Sequence, residues 1–253
     1  MGIDYSGAAT STSRLSGLRV FLGEGASDPV EVRPASGKHW TREGISTWIG
    51  EQLERGRPTV FGLDHGFSFP VEYFARHGLD LDWRDFLDDF QAHWPADGTD
   101  VRVEDIRRGR VGSAGARSGE ATWRRLTERR AGAAKSVFHF DVPGSVAKST
   151  HAGLPWIRQL LRRCPEHIHA WPFDGWDASP GRSMIAEVYP SLWRTLYPRR
   201  ERTDDQHDAA VVALWLRDAD RGGALHDFMH PRLSSEERDR ACREGWILGV
   251  GRP

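Results

Sequence analysis

Residues 59–66 read Thr59-Val-Phe-Gly-Leu-Asp64-His-Gly66. The run up to Leu63 is apolar at odd and even positions alike, so a strand here is buried on both faces, as in the middle of an α/β sheet. It then delivers an acid and a glycine, a strand tip that carries a carboxylate into a turn. The N-terminus repeats the device. Gly2-Ile-Asp4-Tyr-Ser-Gly7 is a short apolar strand that ends on Asp4 and breaks at Ser6-Gly7. A carboxylate in an apolar strand is costly unless a metal, a backbone donor or an arginine compensates it. If the two strands lie parallel and adjacent, their tips bring Asp4 and Asp64 together. Two carboxylates that close repel unless one takes up a proton or a cation sits between them, and an oxygen-rich site favours a divalent ion.

Between these strands, residues 18–23 and 29–34 are short apolar runs around Gly-Glu-Gly-Ala-Ser-Asp, the pattern of an antiparallel hairpin. Residues 41–55 are helical, with Ile45, Trp48, Ile49 and Leu53 at three- and four-residue spacing, Thr41 as N-cap, and Gly56 and Pro58 as the stop. The opening order is therefore strand, hairpin, helix, strand. Residues 71–135 break the pattern and read as an insertion, partly helical (83–93 and 122–130) and partly flexible around Gly109, Gly112, Gly115 and Gly119. Beyond it the sequence predicts strands at 136–142, 167–171 and 183–189. It predicts helices at 153–163, 191–196, 204–217 and 236–243, and a terminal strand or extended tail at 245–250. A chain of 253 residues with this order fits one α/β domain, a mixed central sheet flanked by helices.

Two further acids stand where chemistry is plausible. Asp205 and Asp208 open the helix at 204 and share a face. Acids in a first turn also complement the helix dipole, but Asp208 lies deeper and is followed by Ala209 and Ala210, which allow close approach to a sheet. Glu187 sits inside the apolar run Ile-Ala-Glu-Val-Tyr-Pro. It either joins a metal site or needs an arginine such as Arg182 or Arg194. His65, His151 and His207 adjoin these motifs; each could move a proton or serve as a hydrogen-bonded structural group.

The ordered set Gly-Ile-Asp4, Leu-Asp64-x-Gly, Glu187-Val-Tyr-Pro and His-Asp208-Ala-Ala resembles domain-of-unknown-function family 429, regarded as nucleases of the RNase H-like superfamily. The segment Gly144-Ser-Val-Ala-Lys148-Ser149-Thr150-His151 and the late Glu244-Gly-Trp-Ile-Leu-Gly are also similar to that group. More distantly the acids resemble those of RuvC-type resolvases, in which acids end the first and fourth strands and an Asp-x-x-Asp-Ala helix closes the site. Glu187 has no clear counterpart there, so Asp205 and Glu187 compete as fourth ligand. The resemblance implies an RNase H-like fold and a two-metal hydrolysis of DNA or RNA, with two Mg²⁺ or Mn²⁺ ions held by Asp4, Asp64, Glu187 and Asp208.

The bulk numbers narrow the field. With 35 basic and 36 acidic residues the net charge is -1, which excludes binding of nucleic acid by bulk charge alone. Two cysteines, Cys164 and Cys242, form no metal or disulfide framework. No apolar run reaches the roughly 20 residues that span a bilayer, and no secretory signal is visible, so a cytoplasmic location is expected. The best places for a phosphate backbone are Arg107, Arg108, Arg110, Arg124 and Arg125, with Lys148 and Ser149 near a helix start. Gly144 to Lys148 lacks the second glycine and the spacing of a P-loop. Of the eleven tryptophans, Trp48, Trp215 and Trp246 fall on apolar faces, whereas Trp171 and Trp176 are the better candidates for exposure. Two alternatives remain: an ATP-binding domain of the actin and hexokinase type, whose first phosphate loop Gly2–Gly7 resembles, and a non-catalytic interaction module.

Overall fold

The computed structural model describes residues 1–79 and 82–251. Its sheet has six strands: β1 (Gly2–Asp4), β2 (Arg19–Leu22), β3 (Val30–Val32), β4 (Val60–Leu63), β5 (Ile168–Ala170) and β6 (Ser183–Glu187). They lie in the order β3-β2-β1-β4-β6-β5. β1, β2 and β3 pair antiparallel, and β1, β4, β6 and β5 pair parallel. The hairpin forms because Val20 and Phe21 are buried while the connection between the strands is polar and glycine-rich.

Helix α1 (Arg42–Glu54) starts where Thr41 accepts a hydrogen bond from the Gly44 amide at 2.8 Å. It shares one face of the sheet with α6 (Ala147–Arg163), and Ile3, Phe61, Leu63 and Ile185 fill the core between them. Helix α7 (Asp204–Arg221) covers β1 and β2 on the opposite face. It approaches closely because both sides of the contact are small: a Cβ on Gly2 would lie 2.1 Å from the Ala209 carbonyl oxygen. Trp215 and Trp246 are buried on this side, as their apolar settings predict.

The segment from 71 to 135 is built into the molecule. It holds α2 (Val71–His77), α3 (Trp83–His93), α4 (Val103–Arg107) and α5 (Leu126–Arg130), with a 3-10 turn at Ala114–Arg117. Tyr73, Phe74, Phe86 and Phe90 join the main core beside Phe69 and His151. The Arg/Gly stretch is thus not a bare loop, since Val103 and Ile106 anchor it. Two short helices, α8 (Leu225–Met229) and α9 (Ser235–Glu244), end the chain's helical part.

Three sequence expectations fail. Residues 136–142 form turns, not a strand, because Val137 and Phe138 are anchored singly in the aromatic core without a neighbouring strand. The helix expected at 191–196 is a 3-10 turn at Pro190–Leu192. The helix expected from 153 begins at Ala147, so that Lys148 and Ser149 lie inside its first turn. The terminal segment contributes one parallel bridge, Ile247 to Glu187. Among the described residues no helix is long and apolar enough to cross a membrane.

Candidate metal centre

The register of the parallel strands decides which acids meet. Ile3 is level with Leu63, and Leu63 with Glu187. The Asp64 amide donates to the Ile3 carbonyl at 3.0 Å, and the Val188 amide to the Leu63 carbonyl at 3.1 Å. Side chains alternate across a strand. Asp4 and Asp64 therefore lie on the α7 face, one step beyond the Ile3–Leu63–Glu187 row, and Glu187 points to the other face.

Asp4 and Asp64 sit within hydrogen-bonding reach of each other. Both are partly exposed, at the carboxyl end of the parallel strands, which is where open α/β sheets place their ligands. Helix α7 adds Asp208 and, at its first turn, Asp205. The Thr203–Gln206 capping box fixes that turn. Burial, then the charges of Asp64, Asp205 and Asp208, hold Asp4 well above the ordinary carboxyl range. Burial, then Asp208 and Glu187, push Asp64 up to about 8 against the opposing effects of Asp4 and Arg194. Asp208 is raised by burial and partly restored by Arg194.

Arg194 is the one cation in contact with this cluster among the described residues. Its Nε lies 2.6 Å from Asp208 Oδ1, and its Nη2 donates to Asp204 Oδ1 at 3.0 Å. The first contact is a close ion pair, so Asp208 Oδ1 already has a cationic partner. Asp64 Oδ1, by contrast, is buried with no partner. An orphaned carboxylate oxygen beside three other acids is a donor set suited to a hard divalent cation. Asp4 and Asp64 lie close enough to share a Mg²⁺ or Mn²⁺ ion, but no three of these carboxylates bring an oxygen each within 4.8 Å of one another, so Asp208, with Asp205 beside it, would have to close in to complete the set.

Glu187 is corrected from metal ligand to structural anion. Arg125 holds both its oxygens, at 2.5 and 2.7 Å, and the Phe67 amide donates to it at 3.1 Å. The partner is neither Arg182, which pairs with Glu166, nor Arg194. Arg125 also binds Glu128 Oε1 at 2.9 Å and the Glu244 carbonyl at 3.2 Å. These bonds tie α5 and α9 to β6.

The arginines proposed for nucleic acid all have protein partners, though Arg108 and Arg110 remain more than half exposed. Arg125 is fully buried and can touch no phosphate. Arg124 donates to the carbonyls of Glu128, Gly132 and Ala134. Arg107 pairs with Asp141 and Glu104, Arg108 with Glu104, and Arg110 with Asp105. The acids of the insertion neutralise its arginines locally.

His65 is corrected too. It lies on the α1/α6 face under Gly153 and Tyr5, with Nδ1 3.0 Å from the Gly66 carbonyl. Burial pushes it down to about 4, so it stays neutral and faces away from the acids. His207 places Nε2 3.2 Å from the Arg194 carbonyl and so positions Arg194. His151 is enclosed by aromatic rings. Trp171 is buried, not exposed, and Trp176 is half-buried against it. Lys148 is exposed. Its backbone touches the loop after β1, for a Cβ on Gly7 would fall 2.1 Å from the Lys148 carbonyl oxygen. Ser149 donates to the Val146 carbonyl at 3.0 Å.

Sequence reasoning missed Arg42. Fully buried, it donates to the carbonyls of Ser6, Ala8 and Ala9 at 3.1, 2.7 and 3.2 Å and so shapes the loop that follows Asp4. An arginine at the first position of an amphipathic helix gives no hint of this, because its partners lie more than thirty residues upstream. A cavity of about 840 Å³ opens at the other end of the sheet by Met1, Val60 and Met184, and none of the four aspartates lines it. No protein-family model, curated protein or solved structure matches this chain. The chemistry has to be read from the geometry.

Proposed function

We propose that this chain is a divalent-metal-dependent phosphodiester hydrolase of RNase H-like fold that acts on nucleic acid. One observation carries the reading: four aspartates from two strand tips and one helix gather on one face of the sheet, with a buried oxygen of Asp64 left unpartnered. The order of antiparallel strands, helix and parallel strand, with acids at the tips of the first and fourth strands, agrees with that fold. Mg²⁺ or Mn²⁺ bound here would activate water and stabilise the leaving oxygen of a phosphodiester.

The chain's own residues supply the rest. Asp4 and Asp64 form the floor and are held at fixed spacing by the β1–β4 register. Asp208 closes the site from α7, and Arg194 neutralises it in the metal-free state. Asp205 stands at the open rim. Lys148, exposed and with its backbone against Gly7 in the loop after Asp4, would be the cation to meet an entering phosphate. The actin-type alternative fits less well, because the Gly66 amide after Asp64 is spent on Thr150 Oγ1 at 2.8 Å and is not free to hold a phosphate chain.

The deciding experiment incubates the purified protein with Mg²⁺ or Mn²⁺ and single-stranded, duplex and branched DNA and RNA. Cleavage should require metal and vanish in Asp4→Asn and Asp64→Asn. Absence of cleavage on every substrate with both metals, together with stabilisation by Mg-ATP, would overturn the proposal.

A further inference from the structure

We infer that Asp177, His226 and His230 form a second metal site, of the imidazole-rich type that takes Zn²⁺ or Co²⁺. It differs in place and chemistry from the aspartate cluster. Asp177 lies in the connection between β5 and β6, and His226 and His230 lie on and just after α8, four residues apart and so on one side of that turn. One ligand atom from each falls within 4.8 Å of the other two.

A hydrogen bond orients the His230 imidazole as a ligand. His230 Nδ1 lies 2.8 Å from the His226 carbonyl oxygen. A carbonyl can only accept, so Nδ1 carries the proton and Nε2 presents a lone pair in the neutral ring. That Nε2 is 3.1 Å from Asp177 Oδ1. His226 has no such hydrogen bond; its Nδ1 lies 3.8 Å from Asp227 Oδ1 and its Nε2 3.7 Å from the same Asp177 oxygen. The carbonyl behind the His230 imidazole is the usual support of a metal-binding histidine. A single proton would satisfy His230 and Asp177. It does not account for a second imidazole nitrogen aimed at the same oxygen.

Separations of 3.1 and 3.7 Å between ligand atoms suit a tetrahedral ion with bonds of about 2.0–2.1 Å. Two imidazoles and one carboxylate select Zn²⁺ or Co²⁺ over Mg²⁺, which prefers oxygen alone. Asp177 and His226 are exposed, so the fourth position opens to water. The ion would clip the β5–β6 connection to α8 at the rim of the large cavity, whose wall includes Ala178, Leu225 and Met229.

The test titrates Co²⁺ into the intact chain in excess Mg²⁺, which keeps the aspartate site filled, and follows the visible d–d absorption. One equivalent should bind with a tetrahedral spectrum and be displaced by Zn²⁺. His226→Ala, His230→Ala and Asp177→Asn should each weaken it by about tenfold or more, with unchanged circular dichroism because these side chains lie at the surface. Asp64→Asn should bind Co²⁺ as the wild type does. Equal Co²⁺ affinity in the wild type and the histidine variants, or loss of binding in Asp64→Asn instead, would overturn the assignment. Nuclease activity does not enter the readout, so failure here and failure of the hydrolase proposal are distinguishable.

Discussion

Replacing Asp64 with Asn should make the metal-free protein more stable while it abolishes metal-dependent activity. The reason is the unpaired crowding of carboxyls at the strand tips. In the unfolded chain Asp64 has its ordinary value of 3.8, and in the fold burial and its acidic neighbours push it up to about 8. The folded state therefore binds this proton more tightly. The stability it contributes is fully present below pH 3.8 and is lost as pH rises towards 8. At pH 7 the unfolded carboxyl has given up its proton and the folded one has kept it. At about 1.4 kcal/mol per pH unit this costs the fold on the order of 4 kcal/mol.

Asparagine removes the titration and can still donate to Asp4. Allowing for the second amide hydrogen, which must find its own acceptor, the expected gain at pH 7–8 is about 2–4 kcal/mol. For a chain of this size that raises Tm by roughly 5–10 °C. The assay is urea or thermal unfolding in EDTA at pH 4 and pH 8. The variant and the wild type should coincide at pH 4 and separate at pH 8. Saturating Mn²⁺ should close the gap from the wild-type side only, and wild-type Mn²⁺ affinity should climb with pH up to about 8, because metal displaces the proton. An Asp64→Asn protein that is less stable than wild type at pH 8, or stabilised equally at both pH values, would remove the physical basis of the proposed site.

Four further outcomes follow from the same geometry. Glu187→Gln should lower stability by about 3–5 kcal/mol and leave Mn²⁺ affinity nearly unchanged, since it strands the buried Arg125; unfolding curves and metal titration separate the two effects. Arg42→Met should cost about 2–4 kcal/mol and slow cleavage, because three carbonyls of the loop after Asp4 lose their donor; urea unfolding and turnover measure this. Gly2→Ala drives a methyl into the Ala209 carbonyl and should prise α7, with Asp208, off β1, seen as a drop in Tm and weaker metal binding. Arg108→Ala and Arg110→Ala should leave the salt dependence of nucleic-acid binding unchanged, because Glu104 and Asp105 already neutralise them; a loss of about one in the slope per arginine would place the phosphate backbone on this helix after all.

The strands that frame the site were legible because their signal is local. Residues 60–63 are apolar on both faces, 19–22 and 30–32 flank a turn, and Asp4 and Asp64 mark the ends of their runs. Asp208 was legible through the alanines behind it. Glu187 was misread for a different reason. Its run is as apolar as that of Asp64, and only the pairing of Leu63 with Glu187 shows that the two acids lie on opposite faces. A one-residue change of register inverts that answer, and composition does not encode it. The insertion was misread because its apolar residues are spread thinly. Val103 and Ile106 anchor a five-residue helix, too short to produce a periodic pattern, and arginines that look like a phosphate-binding strip are balanced by acids close in space.

The two faces of the sheet treat their acids in opposite ways. On the α1/α6 side, Glu187 receives a bidentate arginine and a backbone amide, and Glu244 in the same network receives the amides of Val71 and Leu126 and the guanidinium of Arg240. The fold can evidently bring a fully buried guanidinium to a carboxylate at the end of these strands. One step along the register, on the α7 side, Asp4 and Asp64 receive no such partner, and Arg194 reaches Asp208 alone. Four carboxyls against one cation cannot all ionise, and the metal-free site answers by keeping protons on Asp64 and Asp4. A protein that neutralises Glu187 completely yet leaves Asp64 Oδ1 without a donor is not short of arginines; the Asp64 carboxyl is left to a proton below about pH 8 or to the divalent ion proposed above. The same reasoning makes Arg194 the first group to move when a divalent ion arrives, since it holds the one ligand already paired.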